Sequence, residues 1–370
     1  MRRHAVVDVG SGTTTLGVFE AGPAGFLDRV YQQGEALQLM RKIEASGALS
    51  ASAVQAVVAT LREFGEKARE LGAASIEVVA TSAVRDAQNR DELLREIVTD
   101  DGMAVRLVSG EEEGDLAAHA VQCTLPVRDA VVVDMGGGSL QLSLLRDRLR
   151  VASMSFPLGA LRLADRFLVG DPPSPDALVA LRRHVVHALG VVPWLPGAPL
   201  VAAGGSARVL AKMARKAADW RVKHGHGYWL DHDAMLDMYE RLSRAPARER
   251  ATVPGLPASR VDSVVAVALT LSTLTRLARQ PGMHLSTYGI REGVAFRALH
   301  GPEPIDDPAA AGIAGRLGGE GPASAYAPHG LSARESRLFR AATGQPTSVL
   351  IDKPIQGFWQ EEILRVVAAR

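Results

Sequence analysis

Short runs of β-branched residues alternate along this chain with longer stretches whose apolar positions recur at helical spacing, the pattern of an α/β protein. "AVVDVGSGTTTLGV" (5–18) reads as strand, tight glycine turn, strand, and "VVVDMGGGSLQLSL" (131–144) repeats it. In that echo Asp8 falls on Asp134, Gly10 on Gly136, Gly12 on Gly138, Thr13 on Ser139 and Leu16 on Leu142. A weaker echo joins "EVVATSAVRDAQN" (77–89) to "LVAAGGSARVLAKM" (200–213), each a buried strand, a small-residue turn and a helix. One α/β unit used twice is the expectation, with the turns facing each other across a cleft. Between these lie a helix with a glycine stop over 50–72, a strand over 104–109, a strand over 150–156 and a helix over 176–190. The stretch 260–280 reads as a helix with so little charge in its middle that deep burial follows. Beyond Gly301 the texture turns rich in Gly, Pro and Ala, then ends in two short helical patterns, "SARESRLFRAA" and "FWQEEILRVVAAR".

The turns carry the first chemical signal. A lone glycine hairpin is a tight turn and nothing more. Two copies, each with an aspartate at its mouth, point to phosphate chemistry, because backbone N–H groups in such turns form anion-binding nests. The aspartates would repel phosphate directly, but they suit a divalent cation that bridges to it. Neither turn is a Walker loop or a dinucleotide fingerprint.

"VSGEEEGDLAAHA" (108–120) carries the second signal. Ser109 reads as an N-cap and Glu112 completes a capping box, while Glu111 and Glu112 suit the helix dipole. Glu113 stands apart: with Leu116, Ala117 and Ala120 it forms an apolar stripe, so its carboxylate points inward or into a cleft. Burial there would raise its pKa towards that of a general base. Arg85 follows a strand in the first turns of a helix, placed for phosphate or for Asp86. Arg291, in the glycine-flanked "STYGIREG", contacts an anion or pairs with an acid. The stretch 212–229 concentrates Lys212, Arg215, Lys216, Arg221 and Lys223 around one acid, and reads equally as a solvated face or a polyanion track.

Composition narrows the class. The net charge of +1 provides no global pull towards nucleic acid or acidic membranes. The single cysteine, Cys123, leaves no disulfide framework and makes a reducing, cytoplasmic setting the expectation. The basic N-terminus has no apolar core of a secretory signal, and no apolar run reaches membrane-spanning length.

With these stretches in hand, the chain resembles the exopolyphosphatase/guanosine pentaphosphate phosphatase (Ppx/GppA) family over residues 4–300. The matching stretches are "DVGSGTTTL", "ATSAVRDAQN", "SGEEEG", "VVDMGGGS", "PLGALRL", "GGSARVLA" and "YGIREG", and their order and spacing together are specific. The resemblance implies two RNase H-like domains of the actin-like ATPase superfamily flanking a cleft, at 1–124 and 125–300, with a C-terminal extension at 301–370. It implies Mg²⁺- or Mn²⁺-dependent removal of terminal phosphate from inorganic polyphosphate, or from the 5′ end of pppGpp, and a homodimer. In the family's motifs Glu113 falls on the water-activating base and Asp134 on a metal ligand, with Asp8 beside it. Ser11, Gly12, Thr13, Gly136, Gly137, Gly138 and Ser139 fall on the phosphate cradle, and Arg85 and Arg291 line the cleft.

Two departures matter. The family's first turn continues Asn-Ser-x-Arg, where this chain has Gly12, Thr13 and Thr15; its second turn has Glu where this chain has Gln141. A cation and a carboxylate are thus absent from positions that align in the echo. Gln141 can orient a water or a hydrated ion but cannot take a proton. On this reading Gln141→Glu should raise hydrolysis. The departures also keep open a non-hydrolytic sensor of (p)ppGpp, and, more weakly, a sugar or acetate kinase of the same superfamily.

Overall fold

The structure, a computed structural model, describes residues 2–305 except 23–24, 44–45, 102, 104 and 219–224. It contains two sheets built to one plan. The first comprises β1 (Arg3–Val9), β2 (Thr14–Ala21), β3 (Leu27–Glu35), β4 (Ala73–Ala80) and β5 (Val105–Leu107), in the order β3-β2-β1-β4-β5. The second comprises β6 (Ala130–Met135), β7 (Leu140–Arg146), β8 (Leu149–Phe156), β9 (Leu200–Ala203), β10 (Trp229–Asp231) and β11 (Gly282–Leu285), in the order β10-β11-β9-β6-β7-β8. In each, an antiparallel meander is followed by strands added in parallel beside the first: β4 beside β1 and β9 beside β6. The second sheet adds β10 as an antiparallel edge.

This parallel placement decides where the site forms. Strands that run the same way bring their C-terminal ends together, and in such sheets ligands sit at those ends. Asp8 and Asp134 stand there, one residue short of the ends of β1 and β6.

The helices follow the sequence pattern. Helix α1 (Ala51–Glu70) is capped by Ser50, whose hydroxyl accepts from Ala53 N, and stops at Gly72 with φ +72°. Short α2 (Ser82–Asp86) and α3 (Arg90–Asp101) come after β4. Helices α5 (Ala160–Phe167) and α6 (Pro175–Leu189) follow β8, α7 (Gly204–Ala217) follows β9, and α8 (His232–Arg244) and α9 (Ala247–Arg250) follow β10. Helix α10 (Val264–Leu277) is buried on every side from Val264 to Thr275, as its uncharged middle requires.

Two helices cross between the halves. α4 (Gly110–Gln122) comes directly after β5 but packs on β7 and β8; α11 (Ile290–His300) comes after β11 but packs on β1 and on α4. Val6, Phe19, Val79 and Val108 of the first half thereby share one apolar cluster with Leu116, Val294 and Phe296. The extension expected from 301 is described only as far as Ile305; both helical patterns expected further on lie outside the described residues.

Candidate active site

The two glycine turns meet. A methyl group at Gly137 would lie 3.2 Å from both Gly12 N and Ser11 Cβ, and one at Gly138 only 2.7 Å from Ser11 Oγ, so a side chain at either position would push the turns apart or displace Ser11. Each turn has its carbonyls occupied from behind. In the first, Met40 N donates to Ser11 O (3.0 Å) and Gln38 N to Gly12 O (2.9 Å). In the second, the start of α5 does this work: Ala160 N donates to Gly136 O (2.9 Å), Leu161 N to Gly137 O (2.9 Å), and Arg162 Nε to Gly138 O (2.8 Å). A peptide's N–H points opposite its C=O, so the amides of both turns are directed away from these supports. Among the described residues, the amides of Gly137, Gly138 and Ser139 donate to no protein acceptor.

One cleft is lined by both turns together with Asp8, Asp134, Glu113 and Arg291. The aspartates are held by the hairpin registers, Asp8 opposite Thr15 and Asp134 opposite Gln141. Burial raises the Asp8 pKa to about 7, with Arg291 opposing and Asp134 adding to the rise. Burial likewise raises Asp134 to about 6, against the pull of Arg208. Asp8 Oδ1 is buried without a hydrogen-bond partner among the described residues. Two crowded carboxylates, one with an orphaned oxygen, are the environment a cation relieves.

Glu113 is buried at the N-terminal end of α4, as its stripe predicts. Burial carries its pKa to about 8, opposed by Arg85 and reinforced by Asp134 and Asp8. The Ser109 hydroxyl accepts from Glu112 N (3.1 Å), confirming the N-cap. The expected capping box is replaced: the Glu112 carboxylate is taken by Arg106, which also pairs with Glu77. A long cation within reach competes with the backbone N–H that a capping box would engage.

Other expected residues are placed as follows. Arg85, expected on phosphate or on Asp86, donates from Nη1 to Glu113 Oε2 (2.8 Å) and to Val108 O (2.8 Å), and comes no nearer than 3.9 Å to Asp86. It does not line the cleft. Arg291 lies on the first turn of α11 rather than in a loop; it is 4% exposed, and its Nη1 has no partner among the described residues. Ser11 Oγ accepts from Ala83 N (3.1 Å), tying the first turn to α2. Of the basic stretch, Lys212 and Lys216 are exposed on α7, Arg215 is half-buried there, and Arg221 and Lys223 lie outside the described residues.

The sequence reading missed two cleft cations, Arg208 and Arg260. Arg208 stands in the first turns of the helix after β9, as Arg85 does after β4, so the echo itself carried the signal. Its Nη1 donates to Thr287 O (3.0 Å). Arg260 aims between the halves: methyl groups built on Gly205 and Gly12 would lie 3.3 and 3.9 Å from its guanidinium. Burial lowers its pKa with no carboxylate to offset the effect. Nothing in "LPASRVDS" marks it locally.

With this geometry established, known proteins supply the classification. The model of the Ppx/GppA phosphatase family matches residues 18–301. The chain belongs to the Ppx/GppA phosphatase family. It is 30% identical over 307 residues to "Exopolyphosphatase 1" of Mycobacterium tuberculosis, covering 80% of this chain and 88% of that protein. It is 32% identical over 305 residues to an uncharacterised protein of Streptomyces coelicolor, covering 80% and 90%. Among solved structures, an exopolyphosphatase from Cytophaga hutchinsonii superposes with TM-score 0.76 at 24% identity, covering 82% of this chain and 99% of that one. The Aquifex aeolicus Ppx/GppA member gives 0.72 at 24% identity, covering 80% and 97%. At that identity the likeness concerns the fold: two actin-like halves around a cleft. The Ppx/GppA chain is thus an enzyme of the phosphoanhydride hydrolase class, and no helix among its described residues is long and apolar enough to cross a membrane.

Proposed function

We propose that this chain is an exopolyphosphatase: it removes the terminal phosphate of inorganic polyphosphate, with Glu113 accepting a proton from the attacking water. The observation that carries this reading is the asymmetry of Glu113. Arg85 Nη1 (2.8 Å) and Gln141 Nε2 (3.1 Å) both donate to Oε2. Oε1 has no protein partner among the described residues, and Glu113 lines the cleft. Oε1 is therefore the oxygen that takes the proton, and a pKa raised by burial suits a base working near neutrality.

The terminal phosphate would lie between the two turns, against the amides of Gly12, Thr13, Gly137, Gly138 and Ser139 and the hydroxyls of Ser11 and Ser139. Arg291, Arg208 and Arg260 add positive charge where the reacting phosphate and leaving oxygen gather negative charge. Water oxygen bonds to the terminal phosphorus, the bridging P–O bond breaks, and Glu113 holds the water's proton. The products are orthophosphate and a chain one unit shorter.

Asp8 and Asp134 suit Mg²⁺ or Mn²⁺. Both stand at the cleft, and these two carboxylates would hold the cation together with substrate and water oxygens. When bound, the cation would neutralise phosphate charge. The orphaned Asp8 Oδ1 supports this placement. Lys212, Arg215 and Lys216 lead outward along α7 from Arg208 at the cleft, a track suited to a long polyanion, to which Arg221 and Lys223 would belong. A cytoplasmic homodimer is part of the same reading.

The close alternative within the class is 5′-phosphate removal from pppGpp. The amide at 141 also favours a binding-only (p)ppGpp sensor. Phosphate release from polyphosphate, pppGpp and ATP, measured side by side with Mg²⁺, Mn²⁺ and EDTA, separates them. Metal-dependent release chiefly from polyphosphate is expected. Release chiefly from pppGpp would select the alternative, and calorimetric nucleotide binding without any release would select the sensor.

A further inference from the structure

Gln141 stands at the centre of a polar cluster at the wall of the cleft. It is 3% exposed, and its Nε2 lies 2.8 Å from Ser139 Oγ, 3.1 Å from Ser155 Oγ and 3.1 Å from Glu113 Oε2. Three oxygens converge on one NH₂ group. An ionised carboxylate only accepts hydrogen bonds, so the group facing Glu113 has to be a donor.

The backbone brings them together. Gly110 and Gly114, one turn apart on α4, face the β7–β8 hairpin. A methyl group at Gly110 would collide with Ser155; one at Gly114 would lie 2.7 Å from both Ser143 Oγ and Ser153 Oγ, and 3.3 Å from Gln141 Cβ. Ser143 and Ser153 themselves join through their hydroxyls (2.6 Å). Glycine against serine lets α4 sit low enough for a side chain as short as Gln141 to reach Glu113.

We propose that Gln141 is the positioning residue of this site: its amide, anchored by Ser139 and Ser155, holds Oε2 of Glu113 and turns Oε1 to the cleft. This rests on the hydrolytic reading above. It reverses the expectation drawn from sequence that a glutamate at 141 would improve the enzyme. A carboxylate there would put two acceptor-only groups within about 3 Å of each other, and they could not both stay ionised. The charged groups influencing Glu113 are Arg85 from α2, Asp8 from β1 and Asp134 from β6. Arg85 is the only cation among them, and it already serves Glu113 and Val108 O.

The test uses the full chain with Mg²⁺ and polyphosphate, comparing wild type, Gln141→Glu and Gln141→Met across pH 6–9.5. Methionine fills nearly the same volume without donating. Gln141→Glu should lower kcat at pH 7 by about tenfold or more, with KM within about threefold, and move the acid limb of the profile upward by about one pH unit. Gln141→Met should lower kcat several-fold with KM again little changed. A role in packing alone predicts wild-type kcat for Gln141→Met, and that result overturns the proposal. So does Gln141→Glu matching or exceeding wild type at pH 7.

If the wild type releases no phosphate from any of the three substrates, the hydrolytic reading fails on its own. The contact is then read without activity, from the carboxyl carbon of ¹³C-labelled Glu113, assigned by its loss in Glu113→Gln. An upward-shifted titration in Gln141→Glu supports the contact. A titration unchanged in both Gln141 variants overturns it.

Discussion

The two glycine turns share a backbone plan but differ in what lies over them. In the first, Asp8 is opposite Thr15, and the next strand offers Gly34 opposite Thr15, so small residues leave that wall bare. In the second, Asp134 is opposite Gln141, and Gln141 is covered by α4 and bonded to Glu113. The first turn therefore carries an aspartate alone, while the second carries an aspartate and, through Gln141, Glu113. Duplication supplies a clamp with two similar jaws. On the proposed mechanism, what packs above one jaw would make the clamp directional, with water attacking from the side of Glu113.

The largest effect expected from breaking this asymmetry is at Glu113. Glu113→Gln keeps the shape and the Arg85 contact but removes the base, and phosphate release should fall by about 10²–10⁴-fold while the circular dichroism spectrum and melting remain those of the folded chain. Undiminished release would mean that the base lies elsewhere.

Next come the two aspartates, which ask whether the jaws are equivalent. Asp8→Asn and Asp134→Asn should each reduce release by about 10²-fold or more and raise the Mg²⁺ concentration needed for half-maximal rate. If one variant keeps full activity at low Mg²⁺, only the other jaw carries the cation.

Support from behind distinguishes the jaws structurally. A methyl group at Gly159 would run into the backbone of Gly137 and Gly138, whereas one at Gly12 meets the side-chain tips of Leu161 at 3.3 Å and Arg260 at 3.9 Å. Gly159→Ala should destabilise the fold by about 3 kcal/mol and Gly12→Ala by about 1 kcal/mol or less in chemical denaturation. Equal costs would show that the α5 contact does not hold the second turn.

The smallest effect is in the metal-free protein. Asp8, Asp134 and Glu113 have native pKa values near 7, 6 and 8, above those of an unfolded chain. Between about pH 4 and 8 these three groups therefore bind more protons in the native than in the unfolded state, while His119 and His284, lowered by burial to about 4, pull the other way below about pH 6.5. The stability these protons confer is complete below about pH 4 and is lost as pH rises through the native values. In EDTA the melting temperature should fall from about pH 7 to about pH 8.5, where the histidines are neutral in both states and only the raised carboxyls still titrate. Asp8→Asn should flatten the decline more than Asp134→Asn, by roughly 2–4 °C at pH 8. A melting temperature that rises with pH there would contradict the crowding of these carboxylates.

Much of this site was legible in the chain because its parts are local. Two Asp-Gly turns between β-branched runs, the Ser109 N-cap and the inward stripe of Glu113 each depend on residues a few positions apart. The departures at Thr15 and Gln141 were visible too, but their meaning was not. Read as a lost carboxylate, Gln141 suggested a weakened enzyme; the structure places its amide as a donor to Glu113 Oε2, a contact that no local pattern announces. Arg85 shows the same gap. Its helix position was plain, but its hydrogen bond to Glu113 depended on how β5 leads into α4.

The amino-acid sequence by itself determined the repeated strand–turn–strand unit, the buried α10 and the side of α4 that carries the base, since backbone conformation and hydrophobic period are short-range properties. Tertiary structure alone decided that Gly137 meets Gly12, that Arg208, Arg260 and Arg291 converge on one cleft, and that Gln141 holds Glu113. Those contacts join residues far apart in the chain, and they form only when α4 and α11 cross between the two halves to bury the apolar faces that neither half covers alone.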